Sequence, residues 1–275
     1  MYLAPIGSRC FSDIAVSAVG GPWWATYFDE NYLLEFEPLF EESINRAQVA
    51  RLLEILGLPD SAALLDCPCG QGRHAHLLAE TGFDVTGVDY SAPLLAIAQE
   101  RGTGKRLRYR QGDMRALPQQ WTDRFDAVLN LFTSFGFFDD PHDDVRVIRE
   151  FARVLKPGGR LVWFGGSRDG VLARWVGGDS WTTKNGTAVS HDRTFDPLSG
   201  QITIQTTWRG PTGAGQRLHR IRLYTATRLD ELCADAGLVV EAVYDGLRDR
   251  PLRRTSPEML LVARKPLLPR KRAHG

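Results

Sequence analysis

Two glycines follow an aspartate in Asp66-Cys67-Pro68-Cys69-Gly70-Gln71-Gly72-Arg73, directly after Leu64-Leu65, and a second aspartate, Asp89, closes Val85-Thr86-Gly87-Val88. This order reads as strand, glycine turn, helix, strand, acid. Glycines let a backbone pass close to a ligand, the helix start offers unpaired N–H groups, and an acid ending the second strand can accept from both hydroxyls of a ribose. The chemistry indicated is the binding of an adenosine-containing cofactor, with Gly70 and Gly72 as permissive backbone and Asp89 on the sugar. A pyrophosphate turn wants a third glycine where Ala75 stands, although alanine is tolerated there. Asp66 weighs more, because a carboxylate ahead of the turn repels pyrophosphate and suits a ligand carrying an ammonium and a sulfonium. A nicotinamide-dependent oxidoreductase is the alternative.

The pattern Asp66-x-x-Cys69-Gly70-x-Gly72 followed by Asp89 resembles class I S-adenosylmethionine-dependent methyltransferases. Three later segments resemble the family in the same order: Arg108 to Arg115, the apolar run Phe125 to Phe132, and Phe151 to Gly159, which reads as a helix end, a Gly-Gly turn and entry to a fifth strand. The resemblance runs from Ala62 to Ala263. It implies a doubly wound, seven-stranded, mostly parallel α/β sheet of Rossmann-like type, with S-adenosyl-L-methionine as cofactor and S-adenosyl-L-homocysteine as product. It also implies that the Asp113 side chain accepts from the adenine amino group and that the Met114 backbone N–H reaches the ring. Tyr27, Cys67, Pro68, Tyr90, Asn130 and Leu131 complete the expected cofactor set.

The elements that must position these residues divide the 275-residue chain into one large α/β domain with decorations. Residues 1–22 lack a sustained period and read as a flexible lead. Helical spacing from Ala25 to Phe36 and from Leu39 to Leu56 gives a lid over 23–60, with Trp23, Trp24, Tyr27, Phe28 and Tyr32 as its aromatic candidates. The cofactor-binding core spans 61–170. Period-two segments separated by Asn185-Gly186 and by Asp196 to Gly200 form an antiparallel insertion over the active site at 171–225. Residues 226–266 complete the core, with Thr227 capping a helix that Gly237 stops, and 267–275 form a basic tail.

Phe132 to Phe137, Val189-Ser190-His191 and His219 to Thr225 resemble the matching segments of amino-sugar N-methyltransferases from macrolide biosynthesis, which carry a similar insertion. This chain has Phe137 where that family often has His or Tyr, and Glu37 to Glu41 where it has a Lys/Arg-Asp-Tyr feature. A more aromatic or terpenoid acceptor suits Phe135, Phe137 and Phe138. Phe135, Phe137, Trp181 and Tyr224 are the candidate substrate contacts. Methyl transfer needs chiefly an in-line arrangement, which can supply about 7–11 kcal/mol. An acceptor proton still has to leave, and His191 and His219 on the inserted strands are the candidate bases; a hydrogen-bonded structural role is the alternative for both. His142, in the acidic run Asp139 to Asp144, reads as part of a helix cap, and His74 as a residue orienting the first turn of the cofactor helix.

A formal charge of +1 gives no global field for a polyanion. Nucleic acid is disfavoured as a partner, the basic run Arg270-Lys271-Arg272 being the one feature that keeps an RNA methyltransferase in view. Cys10, Cys67, Cys69 and Cys233 have neither zinc spacing nor a disulfide framework, so no metal is expected and the thiols read as reduced. No apolar run suits a bilayer and no export pattern opens the chain, so a cytoplasmic enzyme without membrane contact is expected. The acceptor is a small metabolite, of secondary metabolism by the resemblance, methylated at N, O or C. A cofactor-binding protein without catalysis and a homodimer formed through the insertion complete the expectations.

Overall fold

A computed structural model of the protein describes residues 22–36, 39–211 and 213–267. The expected lead (apart from Pro22), Glu37-Pro38, Cys10 and the tail arginines lie outside the described residues.

The aliphatic runs form the strands of one seven-stranded sheet. β1 (Ala63–Asp66) lies at its centre, flanked by β2 (Asp84–Asp89) and β3 (Leu107–Gln111) on one side and by β4 (Phe125–Asn130) and β5 (Leu155–Gly166) on the other. β11 (Glu258–Arg264) follows β5, and β10 (Val239–Tyr244) forms the far edge. β1 through β5 run parallel, and β11 is antiparallel to both β5 and β10. The chain winds outward from β1 to β3, then returns to β4 on the other side of β1. Beyond the carboxyl ends of β1 and β4 the sheet therefore opens a crevice, the place where doubly wound folds take ligands.

Helices cover both faces. α4 (Arg73–Glu80) follows β1, and α5 (Ala92–Arg101) starts at Ser91, whose hydroxyl accepts from the Leu94 N–H. α6 (Pro141–Val154) starts at Asp140, whose carboxylate accepts from the His142 N–H. α8 (Ala226–Asp235) is capped by Thr225 rather than Thr227. Ile148, Phe151, Leu229 and Leu232 pack on one face of the sheet, and Val49, Leu52, Leu56 and Leu78 on the other, all essentially sealed from solvent. Each such side chain contributes about 1.5–3 kcal/mol by its burial.

Two decorations frame the crevice. The leading helices are α1 (Trp24–Tyr27), α2 (Glu30–Glu35) and α3 (Glu42–Leu56). The first expected helix is broken in two because the Asp29 carboxylate accepts from the Tyr32 N–H and starts α2 afresh. After the short α7 (Arg168–Ala173), a separate antiparallel sheet is built in order from β6 (Gly178–Thr182), β7 (Ala188–Asp196), β8 (Gln201–Gly210) and β9 (Gly213–Arg222). β5 begins at Leu155, ahead of Gly158-Gly159, because Leu155 already pairs with Phe125 before the register shifts.

Candidate active site

The turn after β1 is held on both sides. The Cys67 N–H donates to the Leu129 carbonyl and the Cys69 N–H to that of Val88, so the turn bridges β4 and β2. Gly70 (φ +54°) and Gly72 (φ +73°) both take left-handed backbone, for different reasons. A Cβ on Gly70 would meet nothing closer than Leu94 at 4.0 Å, leaving room for a ligand; one on Gly72 would fall 2.4 Å from the Tyr109 hydroxyl. Gly72 is thus a packing requirement against Tyr109, and it does not line the crevice as the sequence reading expects.

The crevice is lined by Cys67, Pro68, Gly70, Asp89, Tyr90, Asp113, Met114 and Phe138, and roofed by Trp24, Phe28 and Tyr32 of the lid. Asp89 accepts from the N–H of Gly70 (2.7 Å) and of Ser91 (2.8 Å), which fixes the carboxylate in place while further lone pairs remain on each oxygen. Burial pushes its carboxyl up to about 6 in spite of these donors. Asp113 is clamped by Arg115 at 2.6 Å, and Arg115 also pairs with Asp143 and stacks against the rings of Trp24 and Phe138. Trp24 meets Tyr90 edge-on at 4.9 Å, closing the roof.

A smaller recess opens behind the turn, lined by Asp66, Gly70, Gln71, Arg73, Leu131 and Phe132 among others. Asp66 is 2 % exposed, and its Oδ2 has no partner. Burial pushes this carboxyl up to about 7.

The third space, of about 290 Å³, lies between the lid and the inserted sheet. Its walls are largely aromatic, including Trp23, Tyr27, Phe36, Phe132, Phe137 and Phe164, with His191, Arg193 and His219 supplying polar groups from β7 and β9. Phe28, Tyr32, Ser134 and Phe137 belong to the walls of both crevice and chamber, and Tyr32 and Ser134 also line the recess. The three spaces meet at these two residues.

The two histidines are unlike. His191 hydrogen-bonds Glu35 through Nε2 at 2.7 Å, and Arg193 donates to its Nδ1 at 2.9 Å, so both ring nitrogens are taken. On His219 the Nδ1 is buried without a partner; burial holds the ring down at about 3, which keeps it neutral near neutral pH. Glu35 also accepts from Tyr27 Oη, Thr206 Oγ1 (3.0 Å) and two N–H groups of Arg217. Burial opposes its charge, but the hydrogen bond from His191 and the charge of Arg217 outweigh it and hold Glu35 at about 2. Neither Glu35 nor Arg217 stands out in sequence, because each resembles any charged residue of an exposed helix or strand.

Several residues sit elsewhere than the sequence reading puts them. Tyr27 lines the chamber instead of the cofactor crevice, since its hydroxyl turns to Glu35. Asn130 is fully buried in the scaffold, where its amide donates to the Cys67 carbonyl at 2.9 Å and steadies the turn from below. Phe135 packs in the core on Trp163 and Tyr224, while Phe137 reaches the chamber. The Tyr224 hydroxyl donates to buried Asp144 at 2.6 Å, away from the chamber. Trp181 lies edge-on against His191 at 4.8 Å and supports that ring from behind the wall.

Comparison with known proteins accords with this arrangement. A family profile described as "Methyltransferase domain" matches residues 64–159. The dTDP-3-amino-3,6-dideoxy-alpha-D-glucopyranose N,N-dimethyltransferase of Streptomyces fradiae is 31% identical over 202 residues, 70% of this chain and 76% of that protein. Against several other curated methyltransferases the chain spans about half of their length. Among solved structures, the CcbJ methyltransferase of Streptomyces caelestis superposes with a TM-score of 0.72 at 20% identity, over 86% of this chain and 98% of that one. SAM-bound CalS10, an amino pentose methyltransferase of Micromonospora echinaspora involved in calicheamicin biosynthesis, gives 0.61 at 26% identity over 80% and 91%. The chain belongs to the class I S-adenosylmethionine-dependent methyltransferases, which removes the nicotinamide alternative. Its cofactor is S-adenosylmethionine, and the site fits that group: Asp66 offers an unpaired buried oxygen to an ammonium, and the open face of Gly70 leaves room for the nucleoside.

Proposed function

We propose that the protein methylates a nucleophilic amine or hydroxyl on a small molecule of secondary metabolism that presents an apolar face. The observation that carries this reading is the shared wall of Phe28, Tyr32, Ser134 and Phe137, which brings the cofactor crevice and an aromatic chamber to one opening. When bound, S-adenosylmethionine supplies a methyl group already activated by the sulfonium, so the chain's main task is alignment. Asp89 takes the ribose, Asp66 the ammonium, and Met114 and Asp113 the adenine edge. Phe137 and Phe28 bracket the acceptor at the opening. The relatives' names point to amino sugars, and an amine fits the chamber. Its apolar walls favour the neutral form of an amine, which is the form that attacks, and His219 meets it as a neutral ring. His191, held at both nitrogens, orients Glu35 and the lid.

The test is incubation of the enzyme and labelled cofactor with amino sugars and with aromatic or terpenoid amines and alcohols, with products read by mass. Methylation of a member of the panel is expected, and its loss in Phe137→Trp, which fills the opening, places the acceptor there. A chain that binds S-adenosylhomocysteine yet methylates nothing in the panel or in cell extract would instead be a cofactor-binding protein.

A further inference from the structure

The recess behind the glycine turn holds an arginine without an acid. Arg73 opens α4 and is only 7 % exposed. Its Nη1 donates to the neutral amide oxygens of Asn45 (2.6 Å) and Gln48 (3.2 Å) on α3, and its plane lies 3.8 Å above the Phe132 ring, with Phe40 at 5.4 Å. No Asp or Glu among the described residues forms an ion pair with it, its Nε and Nη2 make no hydrogen bond there, and the residue lines both the recess and the chamber. Buried guanidinium groups are ordinarily matched to carboxylates, which their planar fork holds at two points. Here the amides and the ring fix the plane while the outer edge stays free.

In the same recess, Asp66 presents a buried oxygen that also lacks a partner, and the two residues do not pair with each other. The two feel each other's charge across the recess but make no ion pair or hydrogen bond, so neither saturates the other. That arrangement is complementary to the zwitterionic end of an α-amino acid.

Building on the methyltransferase reading, we propose that Arg73 binds the α-carboxylate of the cofactor's methionyl end while Asp66 receives its ammonium. Arg73 also borders the acceptor chamber, so an acceptor carboxylate is the other source of the same chemistry. The presence of the unpaired acid in the recess favours the cofactor.

The experiment is calorimetric titration of wild type and Arg73→Leu with two ligands: S-adenosylhomocysteine, and 5′-methylthioadenosine, which keeps the nucleoside and lacks the amino-acid end. Loss of a two-point charged hydrogen bond should weaken the first ligand roughly ten- to a hundredfold and leave the second within about twofold. Equal affinities of both proteins for S-adenosylhomocysteine overturn the assignment, and a higher KM for a carboxylate acceptor, but not for its methyl ester, then gives the charge to the acceptor. Should Arg73→Leu not fold, wild type alone decides: it should bind decarboxylated S-adenosylhomocysteine more weakly than the parent by a similar factor, and equal binding overturns the proposal. If wild type binds neither nucleoside, it is the methyltransferase reading that fails.

Discussion

Two N–H groups of Arg217 on β9 converge on one carboxylate oxygen of Glu35, the last residue of α2, across 182 residues of sequence. The other oxygen takes His191 and Thr206, so a single buried carboxylate ties the lid helix to three inserted strands. Removing one member of such a pair strands the rest, at about 3–5 kcal/mol. Glu35→Ala should lower the unfolding midpoint by that order and expose α1 and α2 to hydrogen exchange before the core. Because the native carboxyl is held at about 2, below the unfolded value of about 4.3, its stabilisation is present above that value and is lost as pH falls toward 2. Wild type should therefore lose stability in acid more steeply than Glu35→Gln; equal slopes in chemical denaturation would show that the pair contributes nothing.

Asp66 has the opposite sign. Burial raises its carboxyl to about 7, so its contribution to the free protein is present below about pH 4 and is lost as pH rises through 7. A ligand ammonium favours the ionised form. Binding of S-adenosylhomocysteine near pH 6 should release a proton, and affinity should climb with pH and level off above about 7. Calorimetry in buffers of different ionisation enthalpy measures the release, and Asp66→Asn should reduce it, leaving the part that belongs to Asp89, whose carboxyl is raised to about 6.

Asp89→Ala should weaken S-adenosylhomocysteine roughly ten- to a hundredfold, the magnitude of a charged hydrogen bond to the ribose. The protein should stay folded, although the Gly70 and Ser91 N–H groups lose their acceptor and some stability goes with it. Unchanged affinity would remove Asp89 from the site.

The two glycines of the turn should separate under the same substitution. Gly72→Ala forces a methyl onto the Tyr109 hydroxyl and should cost about 1–3 kcal/mol of stability. Gly70→Ala shares the left-handed backbone strain, about 1–2 kcal/mol, but its methyl meets only Leu94 at 4.0 Å, so it should cost less stability than Gly72→Ala and act on cofactor affinity as well. Thermal unfolding and nucleoside titration of both variants check the contrast.

The order of the sheet was readable because its signals are local: each strand is a short aliphatic run, each turn has its own glycine or cap, and the acids of the site end strands. Asp66, Gly70, Asp89 and Met114 accordingly lie where their motifs place them along the crevice and recess. Side-chain direction was less legible. Phe135 and Phe137 are two residues apart and would share a face on a regular strand, but the left-handed backbone at Phe132, Thr133 and Gly136 turns them to different surroundings. The Glu35 cluster was invisible for another reason: its members come from α1, α2, β7, β8 and β9, and no spacing along the chain records that they meet.

The leading helices that roof the crevice with Trp24, Phe28 and Tyr32 also wall the aromatic chamber, through Phe28 and Tyr32. A movement of these helices would open both compartments together. An acceptor with room for a second methyl group would be let go after the first, and the singly methylated compound should build up in solution before the doubly methylated one, as in a distributive enzyme.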